Sequence, residues 1–389
     1  MSNRVNPDMV AELKEYGEVN LESCFNCGNC TAVCPLTSDG HPFPRNGIRL
    51  VQLGLRDQLL ESVDPWLCYY CGECTATCPR GAEPAEAMMT LRRWLTAQYD
   101  GKDGHAAKFY TSEKAVILAI IRYALMPLVL LLLYHFFTDG ENIITDHVAV
   151  NTFAPVKAVW FVVLVDFAFL GLRILTNGMR MFQYVMGAPL NKTGIPSSVY
   201  ISELKSALIL ALTQNKWRDC GDEEGKRQWL NHVLLVSGYI TMLVLIVGLL
   251  GWFQTDEIYP VYHPQRWLGY FATAMLIYGS GMALYGRYQK REQLHKFSQP
   301  TDWLFPAFLM IGAVTGIFVH VFRYADWPWP TYVMYTIHVM AMIAMLDTEV
   351  GVGKWAHMIY RPLAVYLVAV KEKARSLPVD EPAPTPNVM

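Results

Sequence analysis

Cys24, Cys27, Cys30 and Cys34 stand before Pro35 in the spacing CxxCxxCxxxCP, and the same spacing recurs 44 residues on at Cys68, Cys71, Cys74 and Cys78 before Pro79. Two-cluster bacterial ferredoxins use this run. In them three cysteines of one repeat hold one iron–sulfur cubane and the fourth reaches the other cluster. The spacing therefore predicts one [4Fe–4S] cluster on Cys24, Cys27, Cys30 and Cys78, and a second on Cys68, Cys71, Cys74 and Cys34. A zinc reading needs only four ligands per site and gives no reason for the CP ending. Two clusters in so short a stretch make a wire for electrons, with no evident substrate pocket. The ninth cysteine, Cys220, reads as an inert or structural thiol.

Histidine is the second chemistry-bearing type, and position sorts the ten of them. An imidazole inside an apolar membrane segment is costly unless paired or liganded, so it marks function by default. His232 and His357 fall at the inner ends of apolar runs, and His320 and His338 at outer ends. A haem b takes two imidazoles on opposite faces. We therefore pair His232 with His357 for an inner haem and His320 with His338 for an outer one. His263, in YHP, reads as a helix cap and as an alternative outer ligand. His41, His105, His135, His147 and His295 read as solvated. Asp166 is a carboxylate at membrane depth, a candidate quinone-site proton acceptor or the partner of Arg173.

These residues need elements to hold them, and composition says which. The 389 residues are 53% apolar and 17% charged, against about 25% charged in an ordinary soluble domain. The mean hydropathy is +0.20, which excludes secreted, fibrous and wholly disordered chains. The net charge of −2 excludes a nucleic-acid partner of the usual kind. The first twenty residues have no apolar run of signal-peptide type, so the cysteines are expected in a reducing cytoplasm, where disulfides are disfavoured.

The chain divides near residue 113. Residues 1–112 are mixed and polar, and read as a cytoplasmic iron–sulfur domain. Residues 113–376 hold six apolar runs, near 114–137, 155–175, 230–253, 265–285, 303–321 and 331–346, each about long enough to cross a bilayer; the last is expected to continue as helix to about Tyr360. The Pro-rich residues 377–389 read as a disordered tail. Eleven basic residues (Arg180, Lys192, Lys205, Lys216, Arg218, Lys226, Arg227, Arg287, Lys290, Arg291 and Lys296) lie in two connections, against Lys157, Arg266 and Arg323 in the others. The excess of positive charge places both termini in the cytoplasm and the chain in the inner membrane. Residues 197–214 read as a helix on the inner surface. The fold class is all-α: a small two-cluster ferredoxin-like domain followed by a six-helix transmembrane cytochrome b bundle.

With both patterns in place, the chain resembles the membrane C-subunit family of the quinone-interacting membrane-bound oxidoreductases of sulfate reducers, over most of residues 20–375. The first part is heterodisulfide reductase C-like, in its CGxCTxxCP runs and in RNGIRLVQLGL at 45–55. The second resembles the b-type cytochromes that include the gamma subunit of respiratory nitrate reductase. That likeness rests on His232 in NHVLLVSGYI, His320 in VTGIFVHVFR, His338 in YTIHV and His357 in GKWAHMIYRP. The resemblance implies two haems b and menaquinol as the lipid-side reactant. It also implies a soluble flavin and iron–sulfur partner, heterodisulfide reductase A-like, that passes electrons toward adenylylsulfate reductase. The cytochromes carry a second histidine ten positions after the one matching His232, where this chain has Met242, so the outer ligand moves to His320. His338 and His357 are 19 apart, which on one helix turns the second ring about 100° from the first; a π-bulge near Gly351 to Gly353 would realign them, or the carboxylates Asp347 and Glu349 mark instead where the helix leaves the lipid. The expected role is an electron conduit, an oxidoreductase subunit between quinone and partner. The competing classes are a thiol or heterodisulfide reductase component, which Cys220 alone would have to serve, and a redox sensor.

Overall fold

The computed structural model describes residues 5–376 except 39, 102–103, 188–194, 214–222 and 291–292. Cys220, the tail at 377–389, and Lys192, Lys216, Arg218 and Arg291 lie outside the described residues. Those described form helices and turns without a strand; an isolated bridge joins Ser38 to His41. The fold is all-α.

Six helices are long and apolar enough to cross a membrane: Glu113–Phe137, Val156–Met186, Lys226–Val247, Pro264–Gln289, Thr301–Tyr324 and Pro328–Glu349. We call them the first to sixth spans. Their ends follow local chemistry. Ser112 caps the first span by accepting from the Ala115 amide, and Pro264 opens the fourth with its fixed φ. The third packs on the fourth, the fourth on the fifth, the fifth on the sixth and the sixth on the first.

Two spans depart from the sequence reading. The second continues eleven residues beyond Leu175, to Met186. Its extension is fastened to the helix Pro84–Asp100 of the cysteine region: Arg173 and Asn177 donate to Asp100 at 3.3 and 3.0 Å, and Arg180 to the Tyr99 carbonyl at 2.8 Å. Polar anchorage there replaces the apolar character that marks a span in sequence.

The sixth span does not run on to Tyr360. It stops at Glu349; Val350 is extended and Gly351 takes φ +76°, a left-handed conformation suited to glycine. The buried Glu349 carboxylate accepts from the Lys354 amide at 2.8 Å, and a short 3₁₀ turn leads into a separate closing helix, His357–Arg375. The single-helix reading with a π-bulge is therefore corrected: His338 and His357 stand on two helices.

The cysteine region has no core of its own apart from the closing helix. Trp66, Trp94, Tyr99, Leu91 and Phe109 are buried in one continuous cluster with Tyr360, Ala364 and Leu367. Trp66 meets Tyr360 with ring centres 5.1 Å apart, and the Trp66 indole donates to the Tyr99 hydroxyl at 3.3 Å. A buried ion triad reinforces the junction: Asp302, opening the fifth span, meets Arg93 at 3.0 Å and Lys354 at 2.9 Å.

Candidate redox centres

The two cysteine runs fold as two copies of one backbone. Asn26 and Tyr70, equivalent in the repeat, have φ 56° and 58°; Gly28 and Gly72, also equivalent, have φ 91° and 86° and cap the short helices Asn29–Val33 and Glu73–Ala76. These two helices pack on each other. Bonds cross the pair: Asn20 donates to the Gly81 carbonyl at 3.1 Å and Asn29 to that of Thr77 at 2.5 Å. The fourth cysteine of each run is thereby carried toward the other run. Cys30 has Cys24 and Cys78 as neighbours; Cys34 has Cys68, Cys71 and Cys30, and Cys74 has Cys68, Cys71, Cys34 and Cys30.

Burial pushes the Cys34 thiol up to about 11 and raises those of Cys30, Cys68 and Cys74. Uncharged thiols suit a dry site until a metal supplies the charge that stabilises thiolates. Among the described residues no three His, Cys, Asp or Glu side chains converge at single-ion spacing. The eight cysteines are the thiolate donors that two cubanes need.

Two side chains that the cysteine pattern does not reveal shape these loops. Gln52 donates to the carbonyls of Leu21 and Cys24 at 2.8 and 3.0 Å, holding the first loop. Arg92 donates to those of Pro65 and Cys68, holding the second. Gln52 lies in the RNGIRLVQLGL segment that the family resemblance singles out; nothing nearby marks Arg92. The two sites differ in surroundings. Cys27 and Cys71 are both exposed, but Cys68 and Cys74 are buried where their equivalents Cys24 and Cys30 are half-buried. Phe25, beside the first site, is 70% exposed under the Arg80 guanidinium, whereas Cys68 belongs to the cluster that includes the closing helix.

His232 and His357 come together, with ring centres 6.1 Å apart. Two imidazoles on opposite sides of one metal ion, at about 2.0–2.1 Å per bond, place their ring centres roughly 6 Å apart. His357 donates through Nδ1 to the Lys354 carbonyl, which fixes the tautomer and leaves the Nε2 lone pair free, as an axial ligand requires. Burial, with His232 beside it, pushes the His357 imidazole down to about 3, so it is neutral. This pair fits the two axial positions of a haem.

His320 and His338 are not in ring contact among the described residues. His338 lies against Gly316, whose missing side chain makes room for it, and its Nδ1 meets Thr315 Oγ1 at 2.9 Å. His320 stands four residues further along the fifth span, about 6 Å in level, and its Nε2 meets the Tyr270 hydroxyl at 3.0 Å on the fourth span. His263 does cap a helix: its Nδ1 accepts from the Gln265 amide at 3.4 Å, and its ring stacks on Tyr259.

Asp166 is corrected in its partner. Arg173 turns away from it to Asp100, and the carboxyl that faces Asp166 is Asp347 of the sixth span. Both are buried, and Asp166 Oδ2 has no hydrogen-bond partner among the described residues. The solvated reading of the remaining histidines holds for His147, which is exposed. It fails for His105 and His135, whose rings pack on Phe109 and Phe153 with ring nitrogens buried. His41 pairs with buried Asp64 at 3.0 Å.

Residues 20–82 match the family model described as a 4Fe-4S dicluster domain. Over 92 residues the chain is 41% identical to a heterodisulfide reductase C-subunit-like protein of Archaeoglobus profundus, covering 23% of this chain and 49% of that protein. Over 112 residues it is 34% identical to the iron-sulfur C-subunit of the CoB--CoM heterodisulfide reductase of Methanopyrus kandleri, covering 27% and 56%. The chain thus spans about half the length of the curated relatives it matches. No solved structure matches it. An iron–sulfur electron-transfer role and a chain with six potential membrane spans are what these findings establish.

Proposed function

We propose that this chain is the membrane electron-transfer subunit of a larger complex, carrying electrons between menaquinone and a cytoplasmic flavin and iron–sulfur partner. In this reading residues 1–112 hold two [4Fe–4S] clusters, cross-ligated by Cys34 and Cys78, and residues 113–376 hold two haems b. The inner haem takes His232 and His357, and the outer takes His320 and His338. Both termini face the cytoplasm, and the partner passes electrons on toward adenylylsulfate reductase.

The observation that carries the reading is the junction. The His232–His357 pair sits where the closing helix packs against the short helix Asp64–Leu67, whose next residue is Cys68. Electron transfer needs centres close together with little rearrangement, and a rigid aromatic and ionic interface provides that. It makes the Cys68 site the one nearer the membrane and the Cys24 site, with half-buried Cys24 and Cys30 and exposed Phe25, the one offered to a partner. When bound, a haem would supply a one-electron acceptor for quinol. The chain's own part is to fix the imidazole tautomer through Lys354 and to present Asp166 and Asp347 as a carboxyl pair able to take up a proton.

A second reading, a membrane-anchored component of a thiol or heterodisulfide reductase, is favoured by the names of the relatives. Reduced menaquinone analogue added to the purified chain separates the two. The conduit reading expects b-type absorbance to appear, followed by the cluster signal. Disulfide-dependent oxidation of the clusters without any haem supports the reductase component instead.

A further inference from the structure

Arg361 occupies a position that the conduit reading does not yet use. It follows His357 by four residues on the closing helix, one turn along the same face. Its guanidinium lies 4.4 Å from the ring centre of Tyr69, the residue directly after Cys68. The helix that carries it packs on the short helix Asp64–Leu67 that leads into Cys68, so Arg361 neighbours Cys68 on one side and His232 and His357 on the other. Arg92 neighbours Cys68 and His357 as well, but it is tied to the carbonyls of Pro65 and Cys68 and so belongs to the cluster loop. Arg361 belongs to the helix that bears the histidine, and stacks on the loop that bears the cysteine.

We infer that Arg361 is a positioning residue for electron crossing, a fixed cation shared by the inner imidazole pair and the Cys68 centre and stacked on Tyr69. Reduction adds negative charge to either centre. A neighbouring cation in a half-buried interface favours that charge more than it would in water. One residue therefore raises both midpoint potentials together and keeps the two centres matched. Arginine suits the position because its planar fork stacks on an aromatic face while remaining charged, which lysine does less well. The inference rests on the conduit reading for its haem half, while the cluster half stands on Cys68 alone.

The test is an anaerobic potentiometric titration of the full-length chain, with optical spectra for haem and EPR for clusters, in wild type, R361Q and R361K. In R361Q the inner haem and the Cys68 cluster are expected to shift to lower potential, while the outer haem and the Cys24 cluster stay in place. R361K, which keeps the charge, is expected to hold both potentials. Unmoved potentials in R361Q, an equal shift of all four centres, or a fall of both inner potentials in R361K would each overturn the inference. If R361Q does not assemble, the R361K arm decides by the same criterion. If wild type binds no haem, the conduit reading fails separately, and the Cys68 cluster potential alone decides whether Arg361 acts as argued.

Discussion

The cysteine region and the membrane region bear their candidate redox ligands in opposite ways. In the first, eight cysteines lie within 55 residues and their backbone repeats, down to paired left-handed positions at Asn26 and Tyr70 and at Gly28 and Gly72. In the second, four histidines stand on four different helices, and each must find a partner across the bundle. A local motif carries its own geometry, whereas a scattered set depends on packing. One pair of histidines, His232 with His357, is in ring contact; of the other, His320 meets Tyr270 and His338 meets Thr315.

The sharpest way to break this contrast is to remove one ligand from each kind of site. C78S is expected to abolish the cluster on Cys24, Cys27 and Cys30 while sparing the other, read by EPR after anaerobic reconstitution. Damage confined to the Cys68 cluster would show that the ligands stay within their own runs. In the membrane region, H232A and H357A should each remove the same single haem, halving the pyridine haemochrome yield. H320A and H338A should each remove the other. If H320A keeps two low-spin haems while H263A loses one, the outer partner of His338 is His263, and His320 and His338 never share a haem.

A smaller effect is expected where the two regions meet. D302N leaves buried Arg93 and half-buried Lys354 without their carboxylate, and breaking a buried pair costs about 3–5 kcal/mol. The loss should appear as a lower thermal midpoint for release of the clusters, while their number at low temperature is unchanged.

How much of this is legible in the sequence follows the same division. The cubane motif, the six spans and the cap at His263 are encoded in runs of a few to twenty residues, and periodicity or spacing exposes them. The break after Glu349 escapes such a reading because it rests on a carboxylate folding back to the Lys354 amide, a bond that spacing does not announce. The partner of Asp166 escapes it because Arg173, in register on its own helix, is claimed by Asp100 from 73 residues away. Asp347 stands out in sequence as a carboxylate at the end of a span, but not as the neighbour of Asp166. Arg92 and Arg361 carry no motif at all, and their roles exist only once the closing helix is seated against Trp66 and Tyr69.

The smallest predicted effect is on pH. Burial pushes Glu86, beside Tyr70, up to about 7 from its ordinary 4.5. The fold favours its protonated form, so its contribution to stability is complete below about 4.5 and is lost as pH climbs through about 7. The thermal midpoint should fall across that window, and E86Q should flatten the decline; an unchanged slope in E86Q would locate the titration elsewhere.

The central claim, that one chain joins two cubanes to two haems, is tested most directly by an anaerobic redox titration of the purified full-length chain, counting centres by EPR and visible spectra against protein. Two [4Fe–4S] clusters and two b-type haems per chain, with one haem missing in H357A, is the result predicted. Two clusters with no haem, or a haem content unaltered in H357A, would contradict it.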